Sequence, residues 1–405
     1  MNKAPAALVK TSRTTITGSR RLTIALYIIV TFFFWVSLYL YMPTLPTYVQ
    51  SKSDNLALVG IVLSMYGLWQ LFIRLPLGIT VDWLGFRKPF IIVGLALAGL
   101  GAWNMGVADG TSGLIFGRAI TGLAAGIWVP LVVVFSSLFP PREVVRATAM
   151  LTIANSVGRA LATSATGSLN EWGGYSLAFF LATGSAGLAI LFMLPAPEQS
   201  RPMQRPSLEG IGRLMVRRDV LLPALLAAVS QYANWCTTFS FYPILAKQLG
   251  GTDITQSALM SMHIGVTILG NVAAAAIVNR IGARRMVYLS VGVLCAGMVI
   301  AALAPSLPML FVAQFCVGLA MGTSYPILMG LSIRYVADAE RTTAMGLHQA
   351  VYALGMFSGP WLSGLLADAI GLQPMFEVTA FACLILSLFI MSQLTGKYSV
   401  AHSKT

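Results

Sequence analysis

Charged residues are scarce in this sequence. It has 405 residues, of which 10% are charged and 57% are hydrophobic. Soluble domains carry about 25% charged residues, so the charges available here do not cover the surfaces of two or three soluble domains. This shortage excludes a soluble enzyme or binding protein as an interpretation of the whole chain, and lipid is the expected solvent for most of it.

Acids and cysteines are also few. The chain has 13 acids against 26 Lys and Arg, but the cations lie in short clusters between apolar runs, which argues against nucleic-acid binding. The four cysteines fall inside apolar runs without a CxxC pair, a pattern typical of buried thiols and not of a metal site. No Walker loop, HExxH or GxSxG motif occurs, so we expect no direct ATP drive, no enzyme activity, no metal and no cofactor.

Long apolar runs make up most of the chain. A helix needs about 20 apolar residues to cross the hydrocarbon core of a bilayer. Turn residues and charges separate the runs, as in Pro140-Pro141-Arg142-Glu143. The pattern predicts an all-α polytopic membrane protein with twelve transmembrane helices at 22–48, 58–80, 89–108, 112–138, 147–169, 173–194, 221–246, 257–279, 286–304, 308–334, 342–366 and 372–394.

The cations are distributed unevenly between the two alternate sets of loops. One set holds Lys52 and Lys247, and every other cation outside the predicted spans falls in the set that includes both termini. Because positive loops stay in the cytoplasm, we expect a multi-pass protein of the plasma (inner) membrane with both termini cytoplasmic.

The two halves of the chain repeat short motifs in the same order. The matching segments are 122–126 with Pro130 and 318–322 with Pro326, then 82–88 and 279–285. Six spans per half give both copies the same orientation. The repeat therefore predicts two parallel, pseudo-symmetric six-helix bundles with a site between them near the bilayer midplane, and a pore-forming pair of repeats is the alternative.

The division between the halves is expected at a segment rich in Pro and Arg. The predicted parts are 1–194 for the N-terminal bundle and its tail, 195–219 for a cytoplasmic linker, and 220–405 for the C-terminal bundle and its short tail. Within the linker, 207–218 predicts a short amphipathic helix on the inner membrane surface, with its cations on anionic lipid head groups. A regulatory role for this segment is the alternative.

The loop after the second span reads Gly78-Ile-Thr-Val-Asp82-Trp-Leu-Gly85-Phe-Arg87-Lys88. It resembles the signature loop of the major facilitator superfamily, G-x-x-x-D-[RK]-x-G-[RK]-[RK]. The fourth span resembles the Arg-bearing motif of the same family, with Arg118 as the arginine. The resemblance implies this twelve-helix fold, and a conformational latch formed by Gly78, Asp82, Gly85, Arg87 and Lys88.

The latch is expected to be asymmetric, because this chain departs from the pattern. Trp83 occupies a usually basic position. In the second copy Asn279 replaces the acid, and Ala275 replaces the glycine that would permit close helix approach.

Three arginines remain inside predicted spans, where a charge is costly and faces a cavity or a partner. The match of Arg118 to the family motif implies a site-lining or proton-relay role. Arg159 lies one helical turn after Asn155 on the same face and predicts a polar stripe. Arg74 is expected either to snorkel toward the cytoplasm or to contact substrate. The further candidates for substrate or coupling contacts are Trp35, Gln231, Asn234, Tyr325 and Tyr352.

These observations predict a secondary transporter that moves small organic solutes by alternating access, as an efflux permease for drug-like or metabolite molecules. The uncompensated arginines predict a preference for anionic or amphipathic anionic substrates. A proton-coupled importer of an organic anion or nutrient is the alternative, followed by a non-transporting sensor. The expected partners are a small-molecule substrate and the lipid bilayer, with coupled protons left open and a monomer as the family expectation.

Overall fold

The computed structural model describes residues 16–140, 143–197, 208–337 and 340–398. These ranges fold into helices joined by short turns, because a backbone in lipid must satisfy its own hydrogen bonds. The helices are α1 (Ile16–Tyr39), α2 (Leu45–Gln50), α3 (Leu56–Leu84), α4 (Lys88–Gly106), α5 (Thr111–Ala124), α6 (Trp128–Ser137), α7 (Val144–Met193), α8 (Leu208–Met215), α9 (Arg218–Cys236), α10 (Tyr242–Gln248), α11 (Asp253–Ile281), α12 (Ala283–Ala302), α13 (Leu307–Ile333), α14 (Arg341–Ile370) and α15 (Leu372–Tyr398).

The prediction of twelve crossings is confirmed. Ten stretches of the described helices are long and apolar enough to cross a membrane. One of them is Arg146–Met193 within α7. Gly173 and Gly174 of this helix have non-helical φ/ψ angles, so α7 makes two crossings joined by a kink. The remaining crossing consists of α9, the π-helical turn Thr237–Phe241 and α10. A 3₁₀ turn, Ala125–Ile127, similarly joins α5 to α6 within one crossing.

The first crossing ends earlier than predicted. A single helix was expected over 22–48, but α1 ends at Tyr39 and turns occupy 40–44 before α2 begins. Pro43 lies in these turns and lacks the N–H that would continue the helix. The prediction was wrong here because Leu40, Tyr41 and Met42 are apolar yet buried against protein, and hydropathy does not distinguish that environment from lipid.

Glycines set equivalent helix contacts in the two halves. A Cβ on Gly122 of α5 would lie 2.8 Å from the backbone oxygen of Tyr66 on α3. A Cβ on Gly318 of α13 would lie 3.2 Å from the backbone oxygen of His263 on α11. The motif repeat seen in the sequence therefore corresponds to a repeated packing geometry.

Several close contacts between the two halves lie toward one face of the molecule. We call the face with Gly85 and Gly282 the terminal face, since both described ends of the chain lie there, and the face with Asp368 the far face. Near the far face, a Cβ on Gly364 of α14 would lie 2.8 Å from Cα of Gly60 on α3. Near the terminal face, a Cβ on Gly78 of α3 would meet nothing within 4 Å. Gly78 therefore makes no close helix contact of the kind that Gly60 and Gly364 make.

The short helix expected between the halves is present as α8, but it packs on protein. Leu214 is buried in a small cluster with Val220 and Ala344 at the terminal ends of α9 and α14. Arg213 forms an ion pair of 2.9 Å with Glu340. The buried face of α8 thus lies against the second half rather than on lipid, because an apolar pocket and an acid are available there. The proposed boundaries of bundles and linker stay predictions.

Candidate substrate site

Arg118 lies in the interior of α5 with its side chain fully buried. Its Cζ atom is 4.3 Å from the centroid of the Tyr66 ring. Among the described residues its Nε, Nη1 and Nη2 atoms have no hydrogen-bond partner, and no carboxylate there pairs with it. A cation–π contact offsets part of the cost of burying a cation. The hydroxyl of Tyr41 lies close to the guanidinium, but none of the three donor atoms has an acceptor in hydrogen-bond geometry among the described residues.

Arg159 occupies a similar environment on α7. Its Cζ atom lies 4.4 Å from the ring centroid of Tyr39 and 5.9 Å from that of Trp35. Arg159 Nε, Trp35 Nε1 and Asn155 Oδ1 are buried atoms without a partner within the described ranges. The structure therefore brings Trp35 and Arg159 together.

Arg74 joins the two halves. From α3 it donates a hydrogen bond of 2.9 Å to Tyr352 Oη and one of 3.3 Å to Gln349 Oε1, both on α14. A second nitrogen donates to Gln70 on its own helix. The Tyr352 ring lies edge-on to Tyr325, with centroids 6.1 Å apart. Arg74 thus contacts the opposite half rather than snorkelling, and Tyr325 and Tyr352 are brought together as neighbours.

Aromatic rings cross the contact between the halves at the same level. Tyr66 of α3 stacks on Trp235 of α9, with centroids 5.3 Å apart and planes inclined by 21°. Trp235 stacks on Phe239 at 4.6 Å, and Phe239 lies edge-on to Tyr39 of α1 at 6.3 Å. Arg118 and Arg159 therefore each lie against a tyrosine ring that contacts an aromatic ring of the second half.

The second half presents neutral polar groups. Gln314 Nε2 on α13 donates to Thr238 Oγ1 at 3.2 Å, and the same hydroxyl lies 3.4 Å from Nδ1 of His263. Asn234 donates to Gln231 at 3.5 Å on α9. In the described part of the chain no hydrogen bond joins Gln231 or Asn234 to the arginines, so the structure does not bring all the predicted site residues into one cluster.

The loop predicted to form the latch lies at the terminal face. Gly85 ends α3 with φ of 74°, the left-handed conformation expected of a glycine at this sharp turn. Arg87 is buried. Lys88 donates bonds of 2.7 Å to the carbonyl oxygens of Leu194 and Ala196 in its own half. The side chain of Asp82 lies outside the described residues, and the latch stays a prediction.

A polar cluster closes the far face. Asn170 on α7 donates 2.8 Å bonds to Asp253 Oδ2 on α11 and to Thr44 Oγ1. Thr47 donates a bond of 2.8 Å to Gln256 Oε1, again across the halves. Sequence analysis missed Asp253 because an acid in the first turn of a helix has an ordinary stabilising role there.

Sequence analysis also missed Tyr66, Phe239 and Gln314 as site residues. The two aromatic residues cannot be told from packing residues in an apolar span. Gln314 carries a usable signal, because aligning Gly122 with Gly318 places it opposite Arg118 in the repeat.

Comparison with known proteins agrees with this architecture. The family model of the Major Facilitator Superfamily matches residues 27–232 and 223–402. The inner membrane transport protein YajR of Escherichia coli is 37% identical over 93 residues, which cover 22% of this chain and 20% of YajR. The multidrug resistance protein MdtH of Aeromonas hydrophila is 26% identical over 331 residues, which cover 78% of this chain and 80% of MdtH.

A solved structure shares the fold. A bacterial homolog of the human lysosomal transporter Spinster, in an inward-facing and unoccupied conformation, superposes with a TM-score of 0.77 at 14% identity, over 93% of this chain and 96% of that one. Twelve crossings, two matching halves and a family match over nearly the whole length lead to one assignment. The chain belongs to the Major Facilitator Superfamily.

Proposed function

We propose that this secondary transporter exports amphipathic organic anions. The observation that carries the proposal is the burial of Arg118 and Arg159 against aromatic rings, without a carboxylate partner among the described residues. A site for organic cations would need negative charge or acceptor groups at this depth. Here Arg118, Arg159 and Trp35 together have five buried N–H donor atoms without partners among the described residues, and an anionic head group supplies the acceptors that they need.

The apolar part of the substrate follows from the same surroundings. Trp35, Tyr39 and Tyr66 line the arginines with ring faces, and such surfaces bind hydrocarbon or aromatic groups through burial of apolar area. A small inorganic anion would leave these rings without a partner. An amphipathic anion satisfies both the donors and the rings.

One observation favours export: MdtH, a relative matched over most of its length, is named a multidrug resistance protein. The distribution of the loop cations supports a cytoplasmic terminal face. We further propose a monomer in the plasma membrane with both termini cytoplasmic.

Alternating access would exchange the two sets of contacts. Opening the far face requires breaking the bond between Asn170 and Asp253 and the bond between Thr47 and Gln256. Closing the terminal face would bring the loop with Asp82, Arg87 and Lys88 toward the second half, where the family resemblance places the latch. Import of an organic anion would use the same site, so the direction of flux has to be measured.

The test compares two probes of opposite charge in proteoliposomes. Octanesulfonate and octyltrimethylammonium share an eight-carbon chain and differ in the sign of the head group. We expect accumulation of the sulfonate only, and at least a tenfold loss of its transport in Arg118→Gln and in Arg159→Gln, which corresponds to about 1.4 kcal/mol or more.

Arg284→Gln is the matched control, because Arg284 is an exposed cation outside the site. It should transport the sulfonate like the unmodified protein. Equal loss of anion and cation transport in the two site variants would contradict the proposal. Loading the probe inside or outside vesicles of known protein orientation separates export from import.

A further inference from the structure

The ring stack between Tyr66 and Trp235 joins the halves at the depth expected for a substrate. Tyr66 lies ten residues into α3 from Leu56, about 15 Å along the helix axis, which is about half the thickness of the hydrocarbon core. Both side chains are buried, with exposed fractions of 5% and 4%. The stack therefore closes the path between the halves near the midplane.

Transport must take this stack apart. Tyr66 belongs to the first half and Trp235 to the second, so opening of the far face separates their rings. Separation removes an offset-stacked contact and exposes two ring faces. A ligand favours the separated arrangement only if it interacts with it more strongly than with the closed one.

The arginines next to the stack determine which ligand favours the separated arrangement. Arg118 lies 4.3 Å from the centroid of Tyr66, and Arg159 lies 4.4 Å from that of Tyr39. Trp235 continues the stack into Phe239 at 4.6 Å, with planes inclined by 26°. A flat ring inserted beside Trp235 would find parallel ring faces, while an attached anionic group would lie within reach of the arginine side chains.

We infer that the transported anion carries a planar aromatic ring, and that this ring replaces the contact between Tyr66 and Trp235 as the halves separate. Tyr66 and Trp235 are then the residues that select aromatic over saturated anions. The inference rests on the proposed function and adds the substrate class. A saturated anion satisfies the arginines but does not restore the stack, so it is transported more slowly.

The experiment uses two carboxylates with the same carbon skeleton. Exchange of 2-naphthoate and of decahydro-2-naphthoate is measured in proteoliposomes of the full chain. The unmodified protein should exchange the aromatic probe about tenfold more efficiently, measured as kcat/KM. Trp235→Leu should reduce this ratio to less than threefold, and Trp235→Phe should retain most of it.

Trp103→Leu is the control, since Trp103 is half-exposed and its ring contacts that of Phe180 at a tilt of 49° within the first half. Its ratio should stay near tenfold. Equal exchange of both probes by the unmodified protein, or an unchanged ratio in Trp235→Leu, would overturn this inference and leave the proposed function standing. Failure of both anions together with transport of octyltrimethylammonium would overturn both.

A binding measurement covers the case in which Trp235→Leu does not fold. The rise in the unfolding temperature of the unmodified protein in detergent should be larger with 2-naphthoate than with its saturated counterpart at equal concentration. Equal rises would count against the inference.

Discussion

The two halves of the molecule pack alike but are charged differently. Gly122 and Gly318 make equivalent helix contacts, and the residues four positions earlier are Arg118 and Gln314. Arg118 is buried and has no acceptor in hydrogen-bond geometry among the described residues. Gln314 is also buried, but it exchanges hydrogen bonds with Thr238 at 3.2 and 3.4 Å.

This difference shows that helix packing does not determine whether the side chain at this position is charged. One backbone geometry accommodates a neutral, hydrogen-bonded side chain in one half and an unpaired cation in the other. The cation therefore is not required by the packing, and its cost in free energy of folding is explained by a ligand that supplies the missing acceptor. In the function that we propose, the positively charged half would bind the head group of the substrate, and the neutral half would supply ring and hydrogen-bonding surface.

The largest effect is expected when a buried cation is present in both halves. Gln314→Arg places a second unpaired cation in an apolar interior and removes the bonds to Thr238. We expect a loss of about 3–5 kcal/mol in the free energy of unfolding, the range for an uncompensated buried charge. Thermal unfolding in detergent measures it.

The control for this variant is Gln314→Met, which keeps the volume and loses the hydrogen bonds. It should be clearly more stable than Gln314→Arg. Equal stability of the two variants would show that the second half also tolerates a buried cation, and Arg118 would then carry no special information.

A second test acts on the hydrogen bond between Asn170 and Asp253 at the far face. This bond is also asymmetric, because the acid belongs to the second half and the donor to the first. Asp253→Ala removes the acceptor of Asn170 at the far face. Bonds to charged groups contribute about 1.5–3 kcal/mol, so the equilibrium should shift by this amount toward opening of the far face.

Labelling of Ser261→Cys by an impermeant maleimide from the far side measures this shift, in a chain without its native cysteines. Ser261 is partly buried and contacts Thr163 across the halves at 2.9 Å, so its labelling should become faster when the halves separate. Asp368→Ala is the comparison variant, because Asp368 accepts a backbone hydrogen bond from Leu56 in an exposed position. Faster labelling in Asp368→Ala than in Asp253→Ala would contradict the assignment.

The fold was largely predictable from the sequence, because its determinants are local. Twenty apolar residues specify a crossing wherever they occur, and the motif repeat relates the halves. The errors arose where tertiary contacts override composition. The turns at 40–44 are apolar but buried by protein. The π-helical turn at Thr237–Phe241 has no amino-acid composition that would distinguish it from an α-helix.

The site was predictable where a residue is unusual for its surroundings. Arg118 and Arg159 were identifiable because a charge in an apolar span is rare. Tyr66 and Phe239 were not identifiable, since an aromatic residue in such a span is ordinary and its role depends on which helix lies opposite. The far-face bond of Asp253 depends on a residue 83 positions away, and periodicity carries no information about that separation.

A smaller test concerns the tightness of the equivalent glycine contacts. A Cβ on Gly122 would lie 2.8 Å from a backbone oxygen, and on Gly318 the nearest contact is 3.2 Å. Backbone cannot move aside as a side chain can, so Gly122→Ala should cost about 1–2 kcal/mol of stability, within the range for overpacked interiors. Gly318→Ala should cost less than about 1 kcal/mol. Thermal unfolding of both variants gives the order, and a reversed order would mean that the first half is not the more tightly packed.

The smallest expected effect distinguishes the two copies of the signature loop. Lys88 donates to the carbonyl oxygens of Leu194 and Ala196 at the end of α7, where a cation stabilises the negative end of a helix by about 0.3–1 kcal/mol. Lys88→Gln should therefore lower the unfolding temperature slightly. The fall should be larger at low salt, because high salt screens charge interactions near the surface.

Arg285 is the corresponding residue in the second copy, is exposed, and has no hydrogen bond or ion pair among the described residues. Arg285→Gln should leave the unfolding temperature unchanged at both salt concentrations, and a larger fall than in Lys88→Gln would show that the second loop, rather than the first, anchors its own half.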